Sequence, residues 1–253
     1  MMAAWRRLAR GWGAAVRFLT VLPWGRWEAD APEDLGCAAA LFPLVGALIG
    51  LGVAGTRAAV LALGASPALA AALALVAWVA LTGGLHLDGL MDAADGLLGG
   101  QTAARRLEIM RDERVGAFGV LAAGLVLLTK YAALQTAPGA GVVLAATTGR
   151  WMLTTAMARF PYARPQGLGG MWHAQVTRRS WWAATAVTLA IALLWPEARL
   201  WAALAAGALA GWWLARWASR RIPGLTGDVY GGLAELTESV VLVAAAWLVA
   251  WPG

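Results

Sequence analysis

Seven apolar segments recur along the chain, each near the length of roughly 17 to 25 residues that a helix needs to cross a bilayer. They cover residues 36–56, 67–85, 116–135, 139–158, 180–196, 199–217 and 232–251. Of the 253 residues, 60% are hydrophobic and 13% are charged, which is too apolar for an ordinary soluble domain. We therefore predict an all-α fold, a polytopic integral membrane helical bundle of about seven transmembrane helices, forming one catalytic domain over residues 1–253.

The basic residues predict which side of the membrane each loop occupies, since Lys and Arg concentrate in cytoplasmic loops. With the N-terminus inside, 16 of the 20 basic residues fall in inside segments. The outside loops hold only Arg57 and Arg199, while Lys130 and Arg150 fall within spans. The acidic loops then face the cytoplasm too. The net charge of +6 does not indicate a nucleic-acid partner, because no long basic run exists.

Residues 1–22 predict an amphipathic helix lying at the surface of the lipid bilayer. Trp5, Leu8, Trp12, Val16 and Leu19 share one side of this helix. The arginines face away from that side, and neither a compact apolar core nor a cleavage site marks a secretory signal. The stretch 24–35, with Pro23 directly before it and Pro32 within it, predicts a connecting loop.

Three aspartates interrupt the apolar pattern in GGLHLDGLMDAADGLLGG. On a helix, the spacing of Asp88, Asp92 and Asp95 places all three carboxylates on one face. Such a cluster is costly near a bilayer unless it meets water or a cation, which indicates a metal site. Oxygen ligands favour Mg²⁺. The alternative is a solvated polar loop between two spans.

Two further acidic groups follow along the chain. In RRLEIMRDERVGAFG, Glu108 and Asp112 are four residues apart among arginines. This pattern is typical of a solvated helix with weak ion pairs, or it completes the metal site and binds phosphate. In LTGDVYGGLAELTES, Asp228 precedes Glu235 and Glu238 at the start of the last span. They indicate a cation, a proton path or a basic substrate, and a helix cap by Thr226 or Asp228 is the alternative.

The chain has two histidines, and both lie near polar segments. His86 is two residues before Asp88, so it either binds substrate, acts as a base, or anchors the span at the interface. His173 lies in PQGLGGMWHAQVTRR, which we expect to be a flexible loop over an anionic ligand. Carboxylates for a divalent cation and arginines for phosphate together predict phosphoryl or nucleotidyl transfer.

Five segments carry a resemblance to a known family. They are RFLTVLP at 17–23, LFPLVGALIG at 41–50, LTGGLHLDGLMDAADGL at 81–97, RRLEIMRDERVGAFGV at 105–120 and GLTGDVYGGLAELTES at 224–239. In order and spacing across nearly the whole chain they resemble the cobalamin synthases, also called adenosylcobinamide-GDP ribazoletransferases. Tyr230 stands where we expect a smaller residue in this family.

The resemblance implies a magnesium-dependent enzyme of the bacterial inner membrane. Such an enzyme joins adenosylcobinamide-GDP to α-ribazole or its 5'-phosphate and releases GMP, in the last steps of cobalamin biosynthesis. It implies a site with its residues in three roles. The metal ligands are Asp88, Asp92, Asp95, Asp112 and Asp228, the substrate-binding residues are Arg111, Arg114, Asp112 and Thr226, and the catalytic residues are Asp92, Asp95, His86, Glu235 and Glu238. A homo-oligomer is left open.

Two other functions stay open at this point. Asp92-x-x-Asp95-Gly is similar to the start of the acidic motif of CDP-alcohol phosphotransferases, although the following Ala-Arg and the later paired aspartates are missing. An ion-coupled transporter would instead line a path with Asp88, Lys130, Arg150 and Glu238. Most carboxylates are predicted at one membrane face, which favours the enzyme.

Overall fold

The computed structural model describes residues 2–24, 32–164 and 167–250, and the regular elements within these ranges are eleven helices. The helices are α1 (Met2–Leu19), α2 (Pro32–Ala62), α3 (Pro67–Thr82), α4 (Leu85–Gly99), α5 (Ala103–Ile109), α6 (Ala117–Leu134), α7 (Gly139–Arg159), α8 (Leu168–Gln175), α9 (Arg178–Ala192), α10 (Ala198–Ser219) and α11 (Gly227–Ala250). The all-α prediction is confirmed.

Helix α7 lies at the centre of the bundle and packs against α2, α9, α10 and α11. Small residues permit this close packing: a Cβ on Gly50 of α2 would lie 2.6 Å from the Cα of Val143. Almost every residue of α7 is buried, including Arg150 and four threonines. Three of those threonines bond to the carbonyl four residues back and Thr154 to Ala39. Neighbouring helices therefore surround this polar helix.

The chain turns sharply between α3 and α4. Gly83 and Gly84 both have left-handed backbone conformations, with φ of 61° and 70°, which glycine adopts without strain. The two helices meet at 88°. The predicted span 67–85 therefore ends early, at Thr82, and the acidic segment forms a separate helix across the end of α3.

The prediction of seven spans is not fully matched by length and composition. Among the described residues, α2, α6, α10 and α11 are long and apolar enough to cross a membrane, and the bent pair α3–α4 makes up to five. Helix α9 has only 15 residues, shorter than the predicted segment 180–196. Helix α7 is not among these helices, because Arg150 and its threonines make it less apolar. These polar side chains are buried inside the bundle. Seven crossings stay a prediction. The helices that overlap the seven predicted segments are α2, α3, α6, α7, α9, α10 and α11.

Helix α1 is amphipathic, as predicted, but only part of it is covered by protein. Val16 and Leu19 are buried against the bundle, mainly on α2, while Trp5 and Leu8 are exposed. These exposed apolar side chains suit a lipid interface. The predicted loop 24–35 is shorter than expected, since α2 begins at Pro32, and its residues 25–31 lie outside the described residues.

Hydrogen bonds between neighbouring helices show which helix ends lie at the same end of the bundle. At one end, the amide of Val21, just after α1, donates to the carbonyl of Leu81 near the end of α3 (2.9 Å). At the other end of α2, Arg57 donates to the carbonyls of Gln135 and Ala137 between α6 and α7. The acidic helix α4 thus lies at the same end of the bundle as the C-terminus of α1.

Candidate active site

A cavity of about 220 Å³ opens at this end of the bundle, between α4, α7, α8 and the start of α11. Its polar wall is made by side chains from three separate parts of the chain. These are His86, Asp88, Tyr162, Arg164, Asp228 and Tyr230. Phe18, Leu153 and Met157 supply apolar wall, and glycines of the 167–169 and 227–231 segments complete it.

Close contact between α4 and α11 brings the first and last acidic segments together. A Cβ on Gly89 would lie 3.1 Å from the Cα of Asp228, and one on Gly231 would lie 2.8 Å from the carbonyl oxygen of His86. Glycine at both positions lets the two backbones approach to this distance. Asp88 and Asp228, 140 positions apart in sequence, therefore line the same cavity.

The carboxylates of Asp88, Asp92 and Asp228 are close enough to act on one another. Asp92 is repelled by Asp228 most strongly, then by Asp88 and Asp95, and it is attracted by Arg164. Of the residues assigned to the metal from sequence, the structure brings these three together. The arrangement concentrates negative charge beside one cation, Arg164, and favours a further cation or a hydrogen-bond donor in the cavity.

Asp95 is engaged elsewhere. Its two carboxylate oxygens accept hydrogen bonds from the backbone amides of Gly116 (2.7 Å) and Gly119 (2.9 Å). These amides belong to the first turn of α6, where a carboxylate stabilises a helix N-terminus. Asp95 therefore holds α6 against α4, and each of its carboxylate oxygens is engaged in this contact.

Thr226 and Asp228 together begin α11. The hydroxyl of Thr226 accepts a hydrogen bond from the amide of Val229 (3.2 Å), which is the geometry of a helix cap. The same hydroxyl lies 3.3 Å from Oδ2 of Asp228 and is buried. Thr226 therefore caps α11 and helps to orient the Asp228 side chain. It is not among the residues that line the cavity.

The segment after α5 does not join the acidic group. Helix α5 ends at Ile109, so Asp112 does not share a helix with Glu108 as expected. Asp112 pairs with Arg114 at 3.0 Å, and hydrogen bonds from Arg114 hold the pKa of Asp112 below its usual range. The Arg114 side chain is 89% exposed, and Arg111 is exposed as well. Neither arginine lines the cavity.

Arg164 is the cation that the cavity does contain. Its Nη2 lies 2.7 Å from Oδ2 of Asp228 and 3.4 Å from the carbonyl oxygen of Met110. The sequence pattern assigns Arg164 no role beyond its charge on a predicted cytoplasmic loop. Its position shortly after the end of α7, facing the start of α11, is a tertiary relationship that no local spacing reveals.

Glu235 and Glu238 form a buried ion-pair network away from the cavity wall. Lys130 of α6 lies 2.7 Å from Oε2 of Glu235 and also pairs with Glu238, which pairs in turn with Arg150 of α7. All four side chains are at most 10% exposed. The charges proposed for a transport path are therefore largely paired with one another, while Asp88 lies at the cavity.

The two histidines occupy different parts of the cavity region. His86 is buried at the cavity, and neither of its ring nitrogens has a hydrogen-bond partner within the part of the chain that the structure describes. His173 belongs to α8, so the expected flexible loop is in part a helix. Nδ1 of His173 lies 3.3 Å from the hydroxyl of Tyr230, and burial lowers the pKa of His173.

The chemistry of the donor set fits magnesium, although no closed cage is present. Among the residues that the structure describes, no three His, Cys, Asp or Glu side chains are placed to hold one metal ion. Magnesium commonly binds through one or two carboxylates, retained waters and substrate phosphates instead of an all-protein cage. Asp88 and Asp228 present carboxylate oxygens of this kind to the cavity, and Asp92 lies beside them.

Comparison with known proteins decides the family. Residues 11–246 match the family described as cobalamin-5-phosphate synthase. The chain belongs to the cobalamin-5-phosphate synthase family. The match includes every segment on which the sequence resemblance was based, so the predicted family is confirmed and a CDP-alcohol phosphotransferase is disfavoured.

Curated relatives of the cobalamin-5-phosphate synthase family are similar over nearly their full length. An adenosylcobinamide-GDP ribazoletransferase of Roseiflexus sp. (strain RS-1) is 39% identical, covering 94% of this chain and 92% of the relative. The protein of the same name from Pseudomonas aeruginosa PAO1 is 41% identical, covering 95% and 99%. No solved structure gives a significant match.

Proposed function

We propose that the chain is an adenosylcobinamide-GDP ribazoletransferase of the bacterial inner membrane. It joins adenosylcobinamide-GDP to α-ribazole, or to α-ribazole 5'-phosphate, and releases GMP. Family membership and the names of the relatives support the reaction. The observation that supports this site is that Asp88, Asp228 and Arg164 line one cavity. Asp92 lies close enough to all three to interact with their charges.

The reaction is a displacement at phosphorus. A ribose hydroxyl of α-ribazole attacks the cobinamide-linked phosphorus, a new P–O bond forms, and the bond to the bridging oxygen breaks so that GMP leaves. The hydroxyl proton passes to a carboxylate or to water. Groups that neutralise the charge developing on the phosphoryl and leaving oxygens lower the barrier to such a reaction.

Three carboxylates and one arginine supply these groups. Asp88 and Asp228, with Asp92 beside them, would supply one or two ligands of Mg²⁺, and water and the substrate phosphates would supply the rest. The metal, when bound, would neutralise negative charge on the pyrophosphate. Arg164 would donate hydrogen bonds to a phosphate oxygen, since arginine recognises phosphate well. We assign Asp95, Glu235 and Glu238 to positioning: Asp95 fixes α6, and the two glutamates fix α11 against α6 and α7.

The same end of the bundle carries the site and α1. The exposed apolar residues of α1 and the basic loops support a cytoplasmic position for this end. Both the nucleotide-linked substrate and the released GMP would then enter and leave from the cytoplasm.

Turnover with defined substrates tests the proposal. The purified protein in lipid vesicles is incubated with adenosylcobinamide-GDP, α-ribazole and Mg²⁺, and GMP and the corrinoid product are quantified together. We expect both products in equal amounts. At the same Mg²⁺ concentration, Asp88→Asn should strongly reduce both products, whereas Glu197→Gln, at an exposed turn before α10, should leave the rate unchanged. Folded wild-type protein that forms neither product would overturn the assignment.

A further inference from the structure

We propose that Tyr162 and Tyr230 form a binding wall for the planar aromatic base of a nucleotide or nucleoside substrate. This inference depends on the proposed function, because it names the part of that site which takes the base. The wall occupies the same cavity as Asp88, Asp228 and Arg164. Sugar and phosphate groups would then extend from the base towards the charged residues.

The two rings lie next to one another at the cavity, where Tyr162 is partly exposed and Tyr230 is 3% exposed, so Tyr162 presents more of the wall. The ring centroids of Tyr162 and Tyr230 are 6.1 Å apart, with 33° between their planes. The imidazole of His173 stacks behind Tyr162 at 5.6 Å and 27°, and its Nδ1 lies 3.3 Å from the Tyr230 hydroxyl. Aromatic side chains bind bases of any sequence by stacking, since every base has a π-face.

The position of Tyr162 is fixed by its backbone. The amide of Ala163 donates to the carbonyl of Leu225, and the amide of Leu225 donates to the carbonyl of Pro161, both at 2.8 Å. The segment is thereby paired with the residues that lead into α11. A Cβ on Gly169 would lie 2.7 Å from the Tyr162 hydroxyl, so α8 can pack close to this ring only with glycine there.

The cavity size limits what can enter. Its volume of about 220 Å³ is below the roughly 300 to 1,000 Å³ of pockets that enclose a whole drug-sized ligand. A bicyclic base fits this space, whereas a corrinoid does not. We therefore expect the cavity to enclose only the base, while bulky groups attached to the base stay outside the cavity.

His86 provides a polar contact for the enclosed group. The side chain is 4% exposed, lines the cavity and leaves both ring nitrogens without a partner. A buried polar group in that state costs free energy until it is hydrogen-bonded. A ring nitrogen at the edge of a base would satisfy one of them, which an apolar ligand would not.

Two substrate components contain such a base, α-ribazole and the guanine of the GDP group. Measuring the binding of each ligand alone, so that no turnover occurs, shows which base the tyrosine wall takes. Calorimetry is performed on the full-length protein in lipid nanodiscs, with α-ribazole alone and with GMP alone. Tyr162→Leu and Tyr230→Leu should each raise the Kd for one of these two ligands about tenfold, as expected for loss of a stacking ring. Tyr162→Phe, which keeps the ring, should restore binding to within about twofold.

Tyr131 provides the matched control, because this third tyrosine lies on α6 and does not line the cavity. Tyr131→Leu should leave both Kd values unchanged. Weaker binding of α-ribazole assigns its base to the wall, and weaker binding of GMP assigns the guanine. If the leucine variants melt at the wild-type temperature and bind both ligands normally, the inference is wrong even when turnover is intact. Wild-type protein without turnover would instead refute the proposed function.

Discussion

Arg164 and Asp228 meet at 2.7 Å across the cavity wall, although 64 residues separate them in the sequence. Both side chains are mostly buried, with 14% and 19% of their surface exposed. The pair joins the segment after α7 to the first turn of α11. It also leaves Arg164 as the cation nearest the acidic group, since Arg111 and Arg114 do not line the cavity.

Removing this cation should slow the reaction. We expect Arg164→Gln to lower kcat/KM about 10- to 100-fold, because a hydrogen bond to a charged group contributes about 1.5–3 kcal/mol. GMP release at subsaturating substrate measures the effect. Arg114→Gln is the control and should stay within about twofold of wild type, since that side chain is exposed. A larger loss with Arg114→Gln would restore the sequence-based assignment of the pyrophosphate site.

Magnesium dependence should identify the ligands. Asp88→Asn and Asp92→Asn should raise the Mg²⁺ concentration for half-maximal turnover about tenfold or more, because each removes a charged oxygen from the acidic group. Asp112→Asn should not, since Asp112 is paired with Arg114 outside the cavity. The measurement is a magnesium titration after removal of divalent cations with EDTA. A metal requirement that shifts with Asp112 alone would contradict the proposed set.

The contact between α4 and α11 should tolerate no added methyl group. Gly89→Ala places a Cβ 3.1 Å from the backbone of Asp228, and overpacking of this kind costs about 1–3 kcal/mol. We expect lower thermal stability and a loss of turnover larger than the loss of folded protein. Gly55→Ala on α2 meets nothing within 4 Å and serves as the matched control. Equal stability of the two variants would show that the helices can move apart freely.

Neutralising Glu238 should lower the stability of the fold and leave the turnover number of the folded protein nearly unchanged. Glu238→Gln leaves Lys130 and Arg150 with less compensation in a buried network, and breaking a buried pair costs about 3–5 kcal/mol. The melting temperature should fall strongly, while the folded fraction should keep a turnover number near that of wild type. A stable variant without activity would instead support the catalytic role expected from the sequence.

The acidic helix illustrates what the sequence could reveal. The spacing of Asp88, Asp92 and Asp95 correctly predicts a helix with its carboxylates on one side, because helical periodicity is local. It could not reveal that Asp95 caps α6, since that depends on where Gly116 and Gly119 lie in space. Arg164 was missed for the same reason. Asp112 was placed on a helix that ends at Ile109.

Hydropathy alone does not identify α7 as a membrane-spanning helix. A helix surrounded by protein can carry Arg150 and several threonines without meeting lipid, so its composition no longer reports its environment. The segment was nevertheless placed at 139–158 from its length and its flanking residues, close to the observed Gly139–Arg159. The bend after Thr82 was not anticipated, although paired glycines are its local signal.

The pairing of Arg150 with Glu238 also sets an order of events during biosynthesis. The ribosome completes Arg150 and Lys130 well before Glu238. Until α11 emerges, these two cations of the nascent protein have no acidic partner from that helix. The ion pairs that join α6 and α7 to α11 therefore form only after α11 is made, and they cannot assist the insertion of α6 and α7.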